Sequence, residues 1–355
     1  ENGAAVSIAD TDSSVFDGNS ANLTGATATL TNQQTGDRLL VNGSAAASGT
    51  IGTISWTRTD TLVTFTGTAT KAQYADAIEQ VQFQNTTDAP STTQRVVNVT
   101  ATDGSGNSNT AVATIDVTAV NDAPVLSTGS TLSYTENGVA TAINTAITVA
   151  DVDNATQLSG AVAITGNFAA GEDVLTFTNV PATMGNITGT YNSGTGVMTL
   201  SSAGGTATVA QWQAALRAVQ YANSSDNPST SARTVSYTVN DGTANSNTVT
   251  STVNVAAVND VPVLSTGTTL NYTENAAATP VNAAITVADL DNTTLTSGTV
   301  SITGGLVSAE DALSFTNVPA TMGNITGSYS AGTGVLTLSS AGGTATLAQW
   351  QAALR

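Results

Sequence analysis

The chain's chemistry rests on its carboxylates. It carries 25 Asp and Glu against 7 Lys and Arg, with no His and no Cys. Lacking both imidazole and thiol, it is deprived of most nucleophile–base pairs, of zinc sites and of haem or iron–sulfur ligation. Hard oxygen donors remain, and they recur at fixed phase. A Glu follows the first strand of each copy of a repeat (Glu1, Glu136, Glu274), and the next loop holds an Asp-x-Asp (Asp10 and Asp12; Asp151 and Asp153; Asp289 and Asp291). A later Asp follows (Asp37, Asp173, Asp311), and Asp103 and Asp241 each precede a linker Asp, Asp122 or Asp260, by 19 residues. An acidic side chain on a half-buried strand is costly, so its regular return needs a reason. Six to eight oxygen ligands suit Ca²⁺ above other metals, and Ca²⁺ is the expected cofactor. The competing expectation is that these Asp and Asn residues end strands and cap turns by bonding backbone amides.

The same composition excludes other classes. Nucleic acid requires clustered basic residues, whereas Arg38, Arg58, Lys71, Arg95, Arg217, Arg233 and Arg355 are scattered singly on a chain of net charge -18. An anionic membrane surface is disfavoured likewise, and no apolar run reaches the roughly 18 residues of a membrane span. A glycosidase would need two carboxylates across one cleft, but acids that recur in every copy suit repeated structural sites better. Ser and Thr have no His base, and the single lysine, Lys71, confines any Ser–Lys pair to the first copy. It also excludes Lys–Asn isopeptide cross-links from the second and third. No enzymatic activity is expected.

The elements that position the acids are read from the repeat. Ala119 to Leu126 (AVNDAPVL) returns as Ala257 to Leu264 (AVNDVPVL), a period of 138 residues. Tyr134 to Asn137 (YTEN) returns at Tyr272 to Asn275, and Thr176 to Arg217 matches Ser314 to Arg355 at 36 of 42 positions. A more divergent first copy is in phase, giving three expected repeats over 1–120, 121–258 and 259–355. The first is expected to lack its first strand and the third its C-terminal part, as in a segment of a longer array.

Alternating short runs predict strands at Thr141 to Val149, Gly160 to Thr165, Asp173 to Thr178, Gly196 to Ser201, Thr234 to Asn240 and Asn247 to Val255, with a hairpin at Tyr191 to Val197. One short helix is expected per copy. It opens with a capping box, Thr70 with Gln73, Thr208 with Gln211 and Thr346 with Gln349, and its large apolar residues, among them Trp212 and Trp350, should plug one side of the core. The expected fold is all-β: tandem immunoglobulin-like β-sandwiches, each with one inserted α-helix.

The inter-repeat phrase, preceded by Thr100-Ala101-Thr102-Asp103-Gly104, resembles the end of a cadherin domain, where Ala-x-Asp-x-Gly leads into a linker ending Asn-Asp-Ala-Pro. More narrowly, the chain is similar to the cadherin-like repeats of giant bacterial surface proteins exported by type I secretion, which often carry RTX repeats. That resemblance implies an extended rod with Ca²⁺ at its joints. It places Glu1, Asn121, Asp122, Asp151, Asp153 and Asp241 at the first junction, and Glu136, Asn259, Asp260, Asp289 and Asp291 at the second. Glu274, Asp10, Asp12 and Asp103 hold the equivalent phases. The sequence departs from cadherins at Ala119 and Ala257, which stand where the linker's leading acid is expected, and in lacking a mid-domain Asp-Arg-Glu.

The expected function is a structural spacer of a large extracellular adhesin or surface filament, of the kind that supports cell adhesion and biofilm. Its expected partners are neighbouring repeats and other copies in a fibre. The alternative is a multivalent carbohydrate- or surface-binding module, in which a Thr-rich face binds weakly along many copies.

Overall fold

The computed structural model describes residues 3–265 and 267–355. Strands dominate because Val, Ile and Thr alternate with small polar residues, so that one face of each strand is apolar and the other hydroxylated. Two six-stranded sheets organise most of the chain. In the first, Ser48–Ile51, Ile54–Arg58, Leu62–Thr70, Asn22–Leu30, Arg95–Thr102 and Ala111–Ile115 are neighbours in that order. In the second the order is Thr131–Thr135, Val249–Ala256, Arg233–Asn240, Ser159–Gly166, Val197–Ser202 and Ile187–Asn192. Thr131–Thr135 runs parallel to Val249–Ala256, while the other pairs are antiparallel.

A three-stranded sheet completes each sandwich: Val6–Ser7, Val81–Asn85 and Asp37–Val41 in the first, Thr141–Ala142, Gln220–Asn223 and Asp173–Thr176 in the second. Between the layers lie separate hydrophobic clusters, one built on Trp56, Phe65 and Tyr74 and one on Trp212, Tyr221 and Tyr237. A third, smaller cluster gathers Val287, Ile325, Leu338 and Trp350 beneath the sheet of Ser297–Ser301, Val335–Ser340 and Ile325–Ser330.

Each expected capping box forms. Thr70, Thr208 and Thr346 accept from the N3 amide, and the Gln Oε1 accepts in turn from the cap residue's backbone amide. Trp212 and Trp350 are buried, and each indole donates at 2.9 Å to a backbone carbonyl, of Gln157 or Leu295.

Two local expectations need correction. Thr141 to Val149 is not one strand: pairing stops after Ala142 and resumes at Thr148. Asn144 breaks it, because its buried Oδ1 accepts from the amides of Ala146 and Ile147 and bends the chain. The later repeats also hold more than one helix, since Pro181–Met184 and Pro319–Met322 each form a single turn with proline at the first helical position.

Candidate cation-binding loops at the repeat junctions

The Asp-x-Asp of the second and third repeats folds as an Asx turn. Asp151 Oδ1 accepts from the amides of Asp153 (3.3 Å) and Asn154 (2.8 Å), and Asp289 Oδ1 from those of Asp291 (3.1 Å) and Asn292 (2.7 Å). The turn brings its second acid to the linker. Asp153 Oδ2 accepts from the Asp122 amide at 3.0 Å, and Asp291 Oδ2 accepts from the Asp260 amide. Asn154 and Asn292 then donate to the linker asparagines, Asn121 Oδ1 at 2.7 Å and Asn259 Oδ1 at 2.8 Å.

At the first junction amides occupy most of the carboxylate oxygens named above. Asp241 Oδ2 accepts from Asn121 Nδ2 at 2.8 Å, and its Oδ1 takes the amides of Thr243 and Ala244. Against the burial that would raise it, the Ala244 amide, Asn121 and the Thr243 amide hold Asp241 below the usual carboxylate range. Asp151 Oδ2 accepts from Gln157 Nε2 at 2.7 Å. Asn121, Asp122, Asp151, Asp153 and Asp241 are thus brought together, whereas Glu1 lies outside the described residues.

The second junction is poorer in donors. Asp260 Oδ2, Asp289 Oδ2 and Asp291 Oδ1 are buried and accept no hydrogen bond among the described residues. Burial raises the Asp260 carboxyl, and the negative charges of Asp291, Asp226 and Asp289 add to the rise. Asp226 approaches from the preceding repeat, where Asn137 Nδ2 donates to its Oδ1 at 3.0 Å. Its neighbour Asn227 crosses the junction and donates to the Leu290 carbonyl at 3.1 Å. Glu136 is buried, and among the described residues its Oε2 has no partner. Glu274 is exposed in a stretch, 267–285, that forms no strand.

In the first repeat Asp12 bonds Asp10, and that contact, ahead of their mutual repulsion, raises the Asp12 carboxyl. Asp103 turns elsewhere, accepting from Ser20 Oγ and from the amides of Ser105 and Gly106, and these hold its carboxyl below the usual range.

Asp37 and Asp173 have a different role from ion ligation. Each is buried against an arginine, Arg95 Nε at 2.8 Å and Arg233 Nε at 3.2 Å. Among the described residues no arginine pairs with Asp311, whose Oδ2 accepts from the Val307 amide.

A hard cation suits the donor chemistry of the second junction, where buried carboxylate oxygens lack partners. Among the described residues, however, no three acidic side chains already converge on one point as a metal-holding group. Sequence reasoning overlooked Asp226, although Asp88 precedes it by one period and each stands two residues before a proline, and it overlooked Gln157, which has no counterpart at Leu295.

No family model matches the chain. A stretch of 126 residues, 35% of the chain, is 36% identical to halomucin of Haloquadratum walsbyi, and the chain spans 1% of that protein's length. Among solved structures it is similar to extracellular cadherin domains 1–5 of protocadherin gamma B2, at 13% identity and a TM-score of 0.29 over 90% of this chain and 46% of that one. The human desmocollin-1 ectodomain gives 11% identity and a TM-score of 0.23 over 85% and 47%. The C-terminal domain of Streptococcus agalactiae BspA gives 12% identity and a TM-score of 0.19 over 64% and 84%.

Proposed function

We propose that the chain is a spacer segment of a large extracellular adhesin or surface filament, stiffened by Ca²⁺ at or near its repeat junctions. The observation that carries this reading is the recurrence of one frame: Asp-x-Asp turn, linker Asn-Asp and cross-bonding Asn, repeated at a period of 138 residues. A device repeated with the fold serves length and continuity, for which copy number matters and no copy needs an active site. Asp260, Asp289 and Asp291 would hold the ion at the second junction, with Asp226 adding negative charge from the preceding repeat. Bound Ca²⁺ supplies positive charge among crowded carboxylates. The chain's own residues do the positioning: the Asx turns aim the acids at the linker, and Asn227 ties the two repeats directly. RTX neighbours and type I export belong to this proposal. A net charge of -18 keeps long arrays from associating and opposes compaction where calcium is scarce.

The test is thermal unfolding of the chain in EGTA and in millimolar Ca²⁺, with small-angle scattering in both buffers. A rise in both Tm and maximum dimension with Ca²⁺ is expected from ligand linkage. If neither moves, the calcium reading is wrong and the acids are turn caps.

A second reading, binding to a hydroxylated surface, is favoured by the outer face of the first six-stranded sheet. Ser48, Thr57, Thr64, Thr27 and Thr100 pair in one row across five strands, and Thr50, Ser55 and Thr66 begin the next. Adjacent strands lie about 4.8 Å apart, so the row is a regular, uncharged hydroxyl array. Pull-down of the chain on insoluble polysaccharides, compared with a variant carrying Thr57→Lys and Thr64→Lys, decides it: retention lost in the variant supports it, and no retention of the parent excludes it.

A further inference from the structure

The Asp-x-Asp loops of the second and third repeats share one backbone frame and differ at one informative position. Gln157 and Leu295 are separated by the same period as Asp151 and Asp289, and both carbonyls receive a tryptophan indole at 2.9 Å. Both backbones therefore pass through the same place. The Gln157 side chain is fully buried and its Nε2 donates to Asp151 Oδ2. Leucine's side chain cannot donate, and among the described residues Asp289 Oδ2 is left buried and bare. A second difference follows in the same loop. Asn154 Nδ2 reaches both Asn121 and, at 3.4 Å, Asp153 Oδ1, whereas Asn292 Nδ2 bonds Asn259 and Asp291 Oδ1 stays bare.

A buried carboxylate oxygen needs a compensating donor or a positive charge. In the 151–157 loop the compensation is covalently part of the chain, a carboxamide held by the Trp212 frame. In the 289–295 loop it is missing and must come from outside. We propose that Gln157 acts as a built-in substitute for a cation, so that the first junction's loop is locked without ions while the second is ordered by them. Joints of two kinds would then alternate with the identity of a single residue: Gln gives a permanently set joint, Leu an ion-responsive one. This rests on the calcium reading for its second half only. The locking of Asp151 by Gln157 stands without any ion.

The experiment is hydrogen exchange on the full chain, following peptides that cover 151–157 and 289–295 in EGTA and in millimolar Ca²⁺. In the parent, 151–157 should be protected equally in both buffers and 289–295 should gain protection, on the order of tenfold, with Ca²⁺. Gln157→Leu should lower protection of 151–157 in EGTA and make it calcium-responsive. Leu295→Gln should raise protection of 289–295 in EGTA and abolish its response. If both loops of the parent respond to Ca²⁺ alike, or if the exchanges leave both responses unchanged, the inference is overturned while the calcium reading stands. If no loop responds in any form, the calcium reading fails, and the EGTA arm alone decides the lock: unchanged protection of 151–157 in Gln157→Leu would sink it. Gln157→Glu, which keeps size but repels Asp151, guards against reading a packing defect as loss of the bond, since it should unprotect the loop in EGTA and recover with Ca²⁺.

Discussion

Arg233 and Asp173 form an ion pair in which both side chains are completely buried, 60 positions apart in sequence, with Arg233 Nε 3.2 Å from Asp173 Oδ2. Asn223 and Tyr221 donate to the same carboxylate, and Arg233 Nη1 donates to the carbonyls of Ser229 and Ser231. Burial, reinforced by Asp173, also pushes the Tyr221 phenol up. The pair joins the two layers of the sandwich, since Asp173 opens a strand of the small sheet and Arg233 one of the large sheet. Arg95 and Asp37 repeat the arrangement in the first sandwich.

Removing one partner should be far worse than removing both. Arg233→Ala strands a buried carboxylate and should cost about 3–5 kcal/mol, whereas Arg233→Met combined with Asp173→Leu should cost much less. Urea unfolding midpoints of the single and double variants check this.

Gly160 lies against Trp212. A Cβ at Gly160 would stand 2.9 Å from Trp212 Cζ3 and 2.9 Å from the Thr238 carbonyl, neither of which can withdraw from a packed core. Gly160→Ala should therefore destabilise by about 1–3 kcal/mol, and Trp212→Ala by about 3–5 kcal/mol through the cavity it leaves. Combining the two should cost less than their sum, because the indole's share of the clash disappears while that with the Thr238 carbonyl remains; a double-mutant cycle by thermal unfolding measures the difference.

Thr208→Ala should cost about 1 kcal/mol by leaving the Gln211 amide without its cap. Faster hydrogen exchange confined to the first turn of Val209–Arg217 is the expected signature.

Acidification should separate the recurring acids. Asp103 and Asp241 have lowered carboxyls, so the stability they contribute is present above the unfolded value of about 3.9 and is lost as pH falls through their folded values. Asp260 behaves oppositely. Its carboxyl is raised, so the folded state binds its proton first, and the strain it imposes at neutral pH is relieved as pH falls through that raised value. Carboxyl chemical shifts followed by NMR in EGTA should show Asp260 titrating above the ordinary Asp range and the other two below it.

Strands, turns and helix starts were legible in the sequence because their causes are local. Alternation of Val, Ile and Thr sets which face is buried, and a Thr followed three residues later by Gln caps a helix wherever it falls. Asn144 shows the limit of that reading: alternation continues through Thr141 to Val149, but a side chain bonding its own backbone outcompetes the ladder.

The carboxylates show a deeper division. Sequence alone determined that this chain repeats, that it folds as β structure, and that acids return at fixed phase in a protein without His or Cys. It could not sort those acids by role, because role depends on partners far away along the chain. Asp173 and Asp289 look alike as recurring aspartates, yet folding delivers Arg233 to one and, among the described residues, no partner to the other's Oδ2. Only the tertiary structure decided which oxygens meet an arginine, which meet an amide and which stay bare, since a buried charge is governed by the groups that packing brings within a few ångströms.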